Sequence, residues 1–163
     1  MNLFILRHAS AGVRRVNPIL DRKRPLDKEG KRYCLQLAQV LNAMDLQFDL
    51  IVSSPLKRSM QTASMVGTEA GYEAKIISSA ALAPDATLAQ FRKLLNECAD
   101  YENLLVVGHN PNLTLFLGAL LAPAASTSAG GTPVVIQLAI WSSSKRHTRP
   151  ILKPGILPVL SKR

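Results

Sequence analysis

Three short segments of this chain carry the side chains best suited to covalent chemistry. The first is Arg7-His8, which follows the run Asn2-Leu3-Phe4-Ile5-Leu6. A histidine placed there can serve as a nucleophile, and an adjacent arginine can neutralise an incoming phosphate. The second is Ser53-Ser54-Pro55-Leu56-Lys57-Arg58-Ser59-Met60-Gln61-Thr62, and the third is Gly108-His109-Asn110-Pro111; both also follow apolar runs. Each residue taken singly has a plainer reading. Arg7 can be a surface cation at a strand end and His8 a hydrogen-bonded loop histidine. Arg58 can pair with a carboxylate on its helix, and His109 can be a turn residue before a capped helix. Their shared position, each at the C-terminal tip of an apolar run, favours one phosphate-handling crevice over three unrelated features.

The elements needed to position them can be read from spacing. The run before Arg7 is a short buried strand, followed by a polar, basic loop from Ala9 to Leu26. Asp27 caps a helix in which Tyr33, Leu37, Val40 and Met44 share a face. Asp49–Ser53 is a second strand. Ser54 as cap and Pro55 at the first helical position then open a helix that reaches about Ala70 and stops at Gly71. Arg58 would lie in its first turn, where free amides and the helix dipole favour an anion. A short strand is expected at Ala74–Ile77, and a helix with Leu88, Phe91, Leu95 and Cys98 on one side. Asn103–Val107 is a further strand, and Asn110-Pro111 opens a helix through Leu120.

This alternation predicts an α/β fold, a three-layer sandwich with a largely parallel central sheet and helices on both faces. One domain is expected over residues 1–163, a length sufficient for a substantial core. Ala122–Pro133 reads as a loop and Val134–Trp141 as another strand. Residues 142–163 are basic and punctuated by prolines at 150, 154 and 158, which deny regular structure.

Composition narrows the function. Apolar residues at 47% exclude general disorder, and aromatics at 5% leave little for base-stacking platforms. Cys34 and Cys98 each fall in a helical apolar pattern and read as reduced core residues. No segment has the apolar length of a membrane span or the layout of a signal peptide, so a cytoplasmic protein is expected. The formal charge is +9, concentrated in Arg14, Arg15, Arg22, Lys23 and Arg24 and again in Lys145, Arg146, Arg149, Lys153, Lys162 and Arg163. Such runs read first as solvated faces, and second as a field that steers a phosphorylated or acidic partner. Nucleic-acid binding lacks a recognition motif.

Together the three segments resemble the histidine phosphatase superfamily, with its N-terminal R-H-G, downstream S-x-x-R-x-x-Q-T and late G-H. The length resembles the small SixA-like phosphohistidine-phosphatase branch. Arg24-Pro25-Leu26 with Gly30 belongs to the same likeness, which covers roughly residues 1 to 122. Ala9 replaces the glycine of R-H-G, so the turn after His8 should avoid positive φ. The resemblance implies a phosphoglycerate mutase-like fold. It implies that His8 attacks phosphorus, and that Arg7, Arg58 and His109 hold and stabilise the phosphoryl oxygens. It implies neither a cofactor nor a metal. Ser10 is placed where it could touch phosphate, although a solvated loop serine is the simpler reading. Gln61 and Thr62 support the helix and pocket wall.

Larger members that act on alcohol phosphates carry a glutamate after the third strand as general acid. The matching stretch here is Ser79-Ala80-Ala81-Leu82-Ala83-Pro84-Asp85, with proline at the glutamate position and Asp85 beside it. Asp85 is either a proton donor or the cap of the third helix, and the cap is the simpler reading. A pocket without the acid suits an imidazole leaving group, whose conjugate acid has a pKa near ~6.5, better than a basic alkoxide. The expected substrate is therefore a phosphohistidine protein, such as a histidine phosphotransfer domain. The alternatives are a phosphatase of a small phosphorylated metabolite with Asp85 as acid, or a catalytically silent phosphate-binding module.

Overall fold

The computed structural model describes residues 1–121 and 135–139. The chain runs β1 (Asn2–Arg7), α1 (Pro18–Arg22), α2 (Lys28–Ala43), β2 (Leu50–Ser53), α3 (Lys57–Glu69), β3 (Ile77–Ser78), a 3-10 turn at Ala80–Leu82, α4 (Leu88–Glu97), β4 (Asn103–Gly108), α5 (Asn112–Leu121) and β5 (Val135–Ala139). The strands form one sheet in the order β3-β2-β4-β1-β5, with every neighbouring pair parallel.

Alternation along the strands builds two cores. Phe4, Leu6, Ile51, Leu105 and Val107 face one way and pack with Cys34, Ala63 and Val66 from α2 and α3. Leu3, Ile5, Val52, Leu104 and Val106 face the other way and pack with Phe91, Leu95, Leu113 and Phe116 from α4 and α5. Helices therefore cover both faces, and the fold is the three-layer α/β sandwich expected. Both cysteines are buried and free, as their helical pattern implied.

Several local expectations shift. The buried residues of α2 are Gly30, Cys34 and Ala38, with Leu37 and Leu41 beside them, whereas Met44 is exposed. The core face is thus centred on Gly30, Cys34 and Ala38, and of the expected stripe Leu37 packs against it. An added Cβ at Gly30 would stand 2.0 Å from the Ser10 carbonyl oxygen, so only glycine permits this approach. Ala74–Ile77 is replaced by Ile77–Ser78 as the third strand.

The Ala9–Leu26 stretch is not all loop. Asn17 caps α1, accepting from the amides of Ile19 and Leu20, and Pro18 holds the first helical position. Helix α3 starts at Lys57 after Leu56, so Ser54 is not its cap. Gly71, with φ +76°, ends that helix region as expected. Ala9 avoids positive φ: Asp45 is the single non-glycine residue with that geometry among the described residues. The loop expected at 122–133 and the segment 142–163 lie outside the described residues.

Candidate active site

Parallel pairing brings three strand ends to one edge. Leu6 is in register with Val107 and Val107 with Ser53, while Arg7 faces Gly108. The His8 amide donates to the Gly108 carbonyl at 3.0 Å, and the Ser54 amide to that of Val107 at 2.8 Å. His8, His109 and Ser54 therefore leave the sheet side by side. The two imidazole rings lie 4.9 Å apart, tilted by 60°.

The contacts of His8 set its tautomer. Nδ1 is 2.8 Å from the Ala9 carbonyl oxygen, which can only accept, so Nδ1 carries the proton. Nε2 keeps its lone pair and accepts from Arg58 Nε at 3.2 Å. Burial, followed by the charges of Arg58, Arg7 and Arg24, pushes the His8 pKa down to about 4, against the raising effect of the Ala9 bond. The ring is neutral at pH 7.

His109 is buried. Its Nε2 sits 2.8 Å from Ser54 Oγ and 3.2 Å from Ser59 Oγ. Burial, then the neighbouring His8, Arg58 and Arg7, lower its pKa to about 3. Arg7, Arg58, His8 and His109 are thus gathered in one place, as their strand-end positions suggested.

Arg58 lies in the first turn of α3 and is fixed from two directions. Its Nη1 donates to the Asp21 backbone carbonyl at 2.9 Å and lies 3.4 Å from Asp21 Oδ2. Asp21 Oδ1 accepts from Arg24 Nε at 2.9 Å, and the same Arg24 donates through Nη1 to the carbonyls of Ala11 and Gly12. Asp21 stands on α1, the helix that sequence reading overlooked. The Asn17-Pro18 cap signal was the clue that could have revealed it.

The remaining motif residues are structural ties. Thr62 Oγ1 donates to the Arg58 carbonyl at 2.8 Å and accepts from the Ala9 amide at 3.1 Å. Gln61 Oε1 accepts from the Leu26 amide at 2.8 Å. Ser10 Oγ donates to Asp27 Oδ2 at 2.6 Å, which ties that hydroxyl proton to the cap of α2. Ser54, expected to cap a helix, instead contacts His109.

Asp85 does not cap the third helix. Thr87 does so in a reciprocal capping box with Gln90. Asp85 is exposed, on a segment whose neighbours Ala83, Pro84 and Ala86 offer carbonyls to Asn112 Nδ2 at 3.4, 2.8 and 3.1 Å. That lashing keeps the Asp85 segment against the start of α5, close in sequence to His109.

The chain belongs to the histidine phosphatase superfamily (branch 1), whose family model matches residues 3–83. It is 34% identical over 116 residues to an uncharacterized protein of Picosynechococcus sp. (strain ATCC 27264 / PCC 7002 / PR-6), covering 69% of this chain and 68% of that one. Its fold is similar to a SixA protein from Agrobacterium tumefaciens, with TM-score 0.65, 24% identity, and 74% and 77% of the two chains covered. It is also similar to the protein histidine phosphatase SixA complexed with tungstate, with TM-score 0.63, 25% identity, and 80% and 82% covered. The alpha-ribazole phosphatase from Shigella flexneri shares the fold too, with TM-score 0.58, 18% identity, and 74% and 79% covered. Membership of this superfamily implies phosphatase chemistry.

Proposed function

We propose that this protein hydrolyses phosphohistidine on a protein substrate, through transient phosphorylation of its own His8. The observation that carries the reading is the His8 tautomer: Nδ1 is held by the Ala9 carbonyl, and the Nε2 lone pair faces Arg58 beside His109. A neutral imidazole so fixed is a nucleophile that needs no base.

The steps follow from charge. Phosphate oxygens entering the crevice draw the guanidinium groups of Arg7 and Arg58, and Arg58 Nε turns from His8 Nε2 to an oxygen. Nε2 then forms a bond to phosphorus while the substrate nitrogen–phosphorus bond breaks. The electron pair leaves on the substrate imidazole, which takes a proton from solvent. Ser54 Oγ and Ser59 Oγ hold His109 through its Nε2 at 2.8 and 3.2 Å. The ring so fixed beside His8 stabilises the equatorial oxygens as charge builds. Water next attacks phosphorus, the His8 nitrogen–phosphorus bond breaks, and phosphate leaves with the water's oxygen.

The phosphohistidine substrate is supported by the leaving group and by the likeness to SixA, which in one structure carries tungstate, a tetrahedral oxyanion. An imidazole leaves near neutral pH without strong acid help, with a pKa near ~6.5. A metabolite phosphatase is the second reading, favoured by the place of Asp85 on the segment lashed to α5 and by the likeness to the alpha-ribazole phosphatase.

The test is rapid mixing with a labelled phosphohistidine protein, an alkaline quench, and mapping of the label. Label on His8, absent from His8→Asn, is expected; label on another residue overturns the proposal. Asp85→Asn should change phosphohistidine turnover by less than about twofold. A loss above about a hundredfold would give Asp85 the proton-donor role and overturn the account of a pocket without the acid.

A further inference from the structure

Beside the phosphate crevice lies a second basic cavity that the reaction does not use. It measures about 380 Å³ and is lined by Arg14, Arg15 and Arg24 over a floor that includes Gly12, Leu26 and Asp27. A cavity of this size has room for an acidic side chain.

Its charge is net positive, with three arginines lining it against one carboxylate, that of Asp27. Among the described residues the ion pairs are Arg24–Asp21, Arg58–Asp21 and Lys93–Glu97, so the guanidinium groups of Arg14 and Arg15 pair with no carboxylate there, while the Arg15 backbone amide donates to Asp21 Oδ1 at 2.9 Å. Asp27 keeps its negative charge, its carboxylate being held ionised by the bonds from Ser10 Oγ and the Gly30 amide, but it is turned to those two partners. Arg24 is held rigidly by Asp21 and two carbonyls, which prepares one wall without further ordering. The cavity is also electrostatically continuous with the crevice: Arg24 acts on His8, and both Arg14 and Arg24 act on Arg58.

Apolar exposure identifies the kind of ligand. Val13, which lines the cavity, is 88% exposed, and Val16 (101%), Ile19 and Leu20 follow it, exposed, on the same segment. A small hydrophilic metabolite would leave these apolar groups in water, whereas a protein surface covers them. The basic 142–163 segment of this chain is a poor occupant for a pocket of arginines.

We propose that the Arg14–Arg15–Arg24 cavity is a specificity site that receives an aspartate or glutamate carboxylate of the substrate protein, close to the phosphohistidine being cleaved. The inference rests on the phosphohistidine reading and gives that substrate a further chemical feature, an acidic neighbour.

The test is binding, so it does not depend on turnover. Two peptides carry a hydrolysis-resistant phosphonate analogue of phosphohistidine, one flanked by glutamates and the other by glutamines. The unchanged protein should bind the glutamate peptide about tenfold more tightly. In the Arg14→Gln/Arg15→Gln variant the two affinities should agree within about twofold, with the glutamine peptide bound as before. Equal affinities in the unchanged protein, or a preference that survives in the variant, would overturn the inference. So would a preference for a small phosphocarboxylate over an alkyl phosphate without any discrimination between the peptides, since that would seat a metabolite in the cavity. Phosphoramidate turnover is measured alongside. Its absence, with the peptide preference intact, would remove the phosphatase reading and leave the acidic-neighbour site standing.

Discussion

His8 and His109 are held neutral by burial first, with the surrounding arginines, and for His109 also the His8 ring, adding to it. Ring-proton NMR should therefore find midpoints at about 4 for His8 and about 3 for His109; a His8 midpoint at the ordinary ~6.5 would contradict the buried, arginine-flanked geometry. The same shifts set a sign for stability. Unfolded histidines take up protons near ~6.5 while the folded pair still resists them. The stabilising share of this pair is complete above that value. It falls progressively below that value and is fully lost once pH is below about 4 for His8 and about 3 for His109. Chemical denaturation from pH 7 to pH 4 should show falling stability, with a flatter profile in His109→Phe. Arg58→Lys keeps a charge but removes the Nε donor and the planar fork. It should lower kcat by about a hundredfold or more, measured on phosphoramidate.

At the scale of elements, the crevice depends on how α1, α2 and α3 are tied to the strand ends. Asp21 on α1 grips Arg58 through both its carbonyl and its carboxylate, which makes it a positioning residue. Asp21→Asn should lower kcat about tenfold while the melting temperature stays close to that of the unchanged protein. A loss matched by the unfolded fraction would reduce Asp21 to a structural role. Thr62 joins α3 to the residue after His8. Thr62→Val leaves the buried Ala9 amide without its acceptor and should cost about 1–3 kcal/mol in denaturant unfolding. Activity should also fall, since Ala9 carries the carbonyl that fixes the His8 tautomer.

Across the whole molecule the dominant property is a formal charge of +9. Long-range attraction to an acidic partner is screened over a Debye length of about 8 Å at physiological ionic strength. The kcat/KM for an acidic phosphohistidine protein should thus fall steeply between low and high salt, while that for phosphoramidate stays nearly flat. Equal salt slopes for both would assign the charge to solubility alone. Among the described residues no helix is long and apolar enough to cross a membrane. The exposed Val13–Leu20 stretch and the neighbouring arginines lie on the same segment, so steering and docking would act at one place.

Apart from β3, the strands and their order along the chain, the cap at Asp27 and the stop at Gly71 were legible in the sequence alone, because periodicity, capping and glycine conformation are properties of a few adjacent residues. The motif spacing likewise pointed to Arg7, His8, Arg58 and His109 as one group. What each side chain touches was decided by tertiary structure. His8 and Arg58 are 50 residues apart, and Ser54 and His109 are 55 apart. Ser54 looked like a helix cap until strand register placed it against His109. Asp85 looked like another until Thr87 took that position with Gln90. Asp21 carried no signal of its own, since only the docking of α1 brings its carboxylate to Arg58. Local rules select an element, but partners follow from the packing of distant elements, and one strand offset would exchange them all.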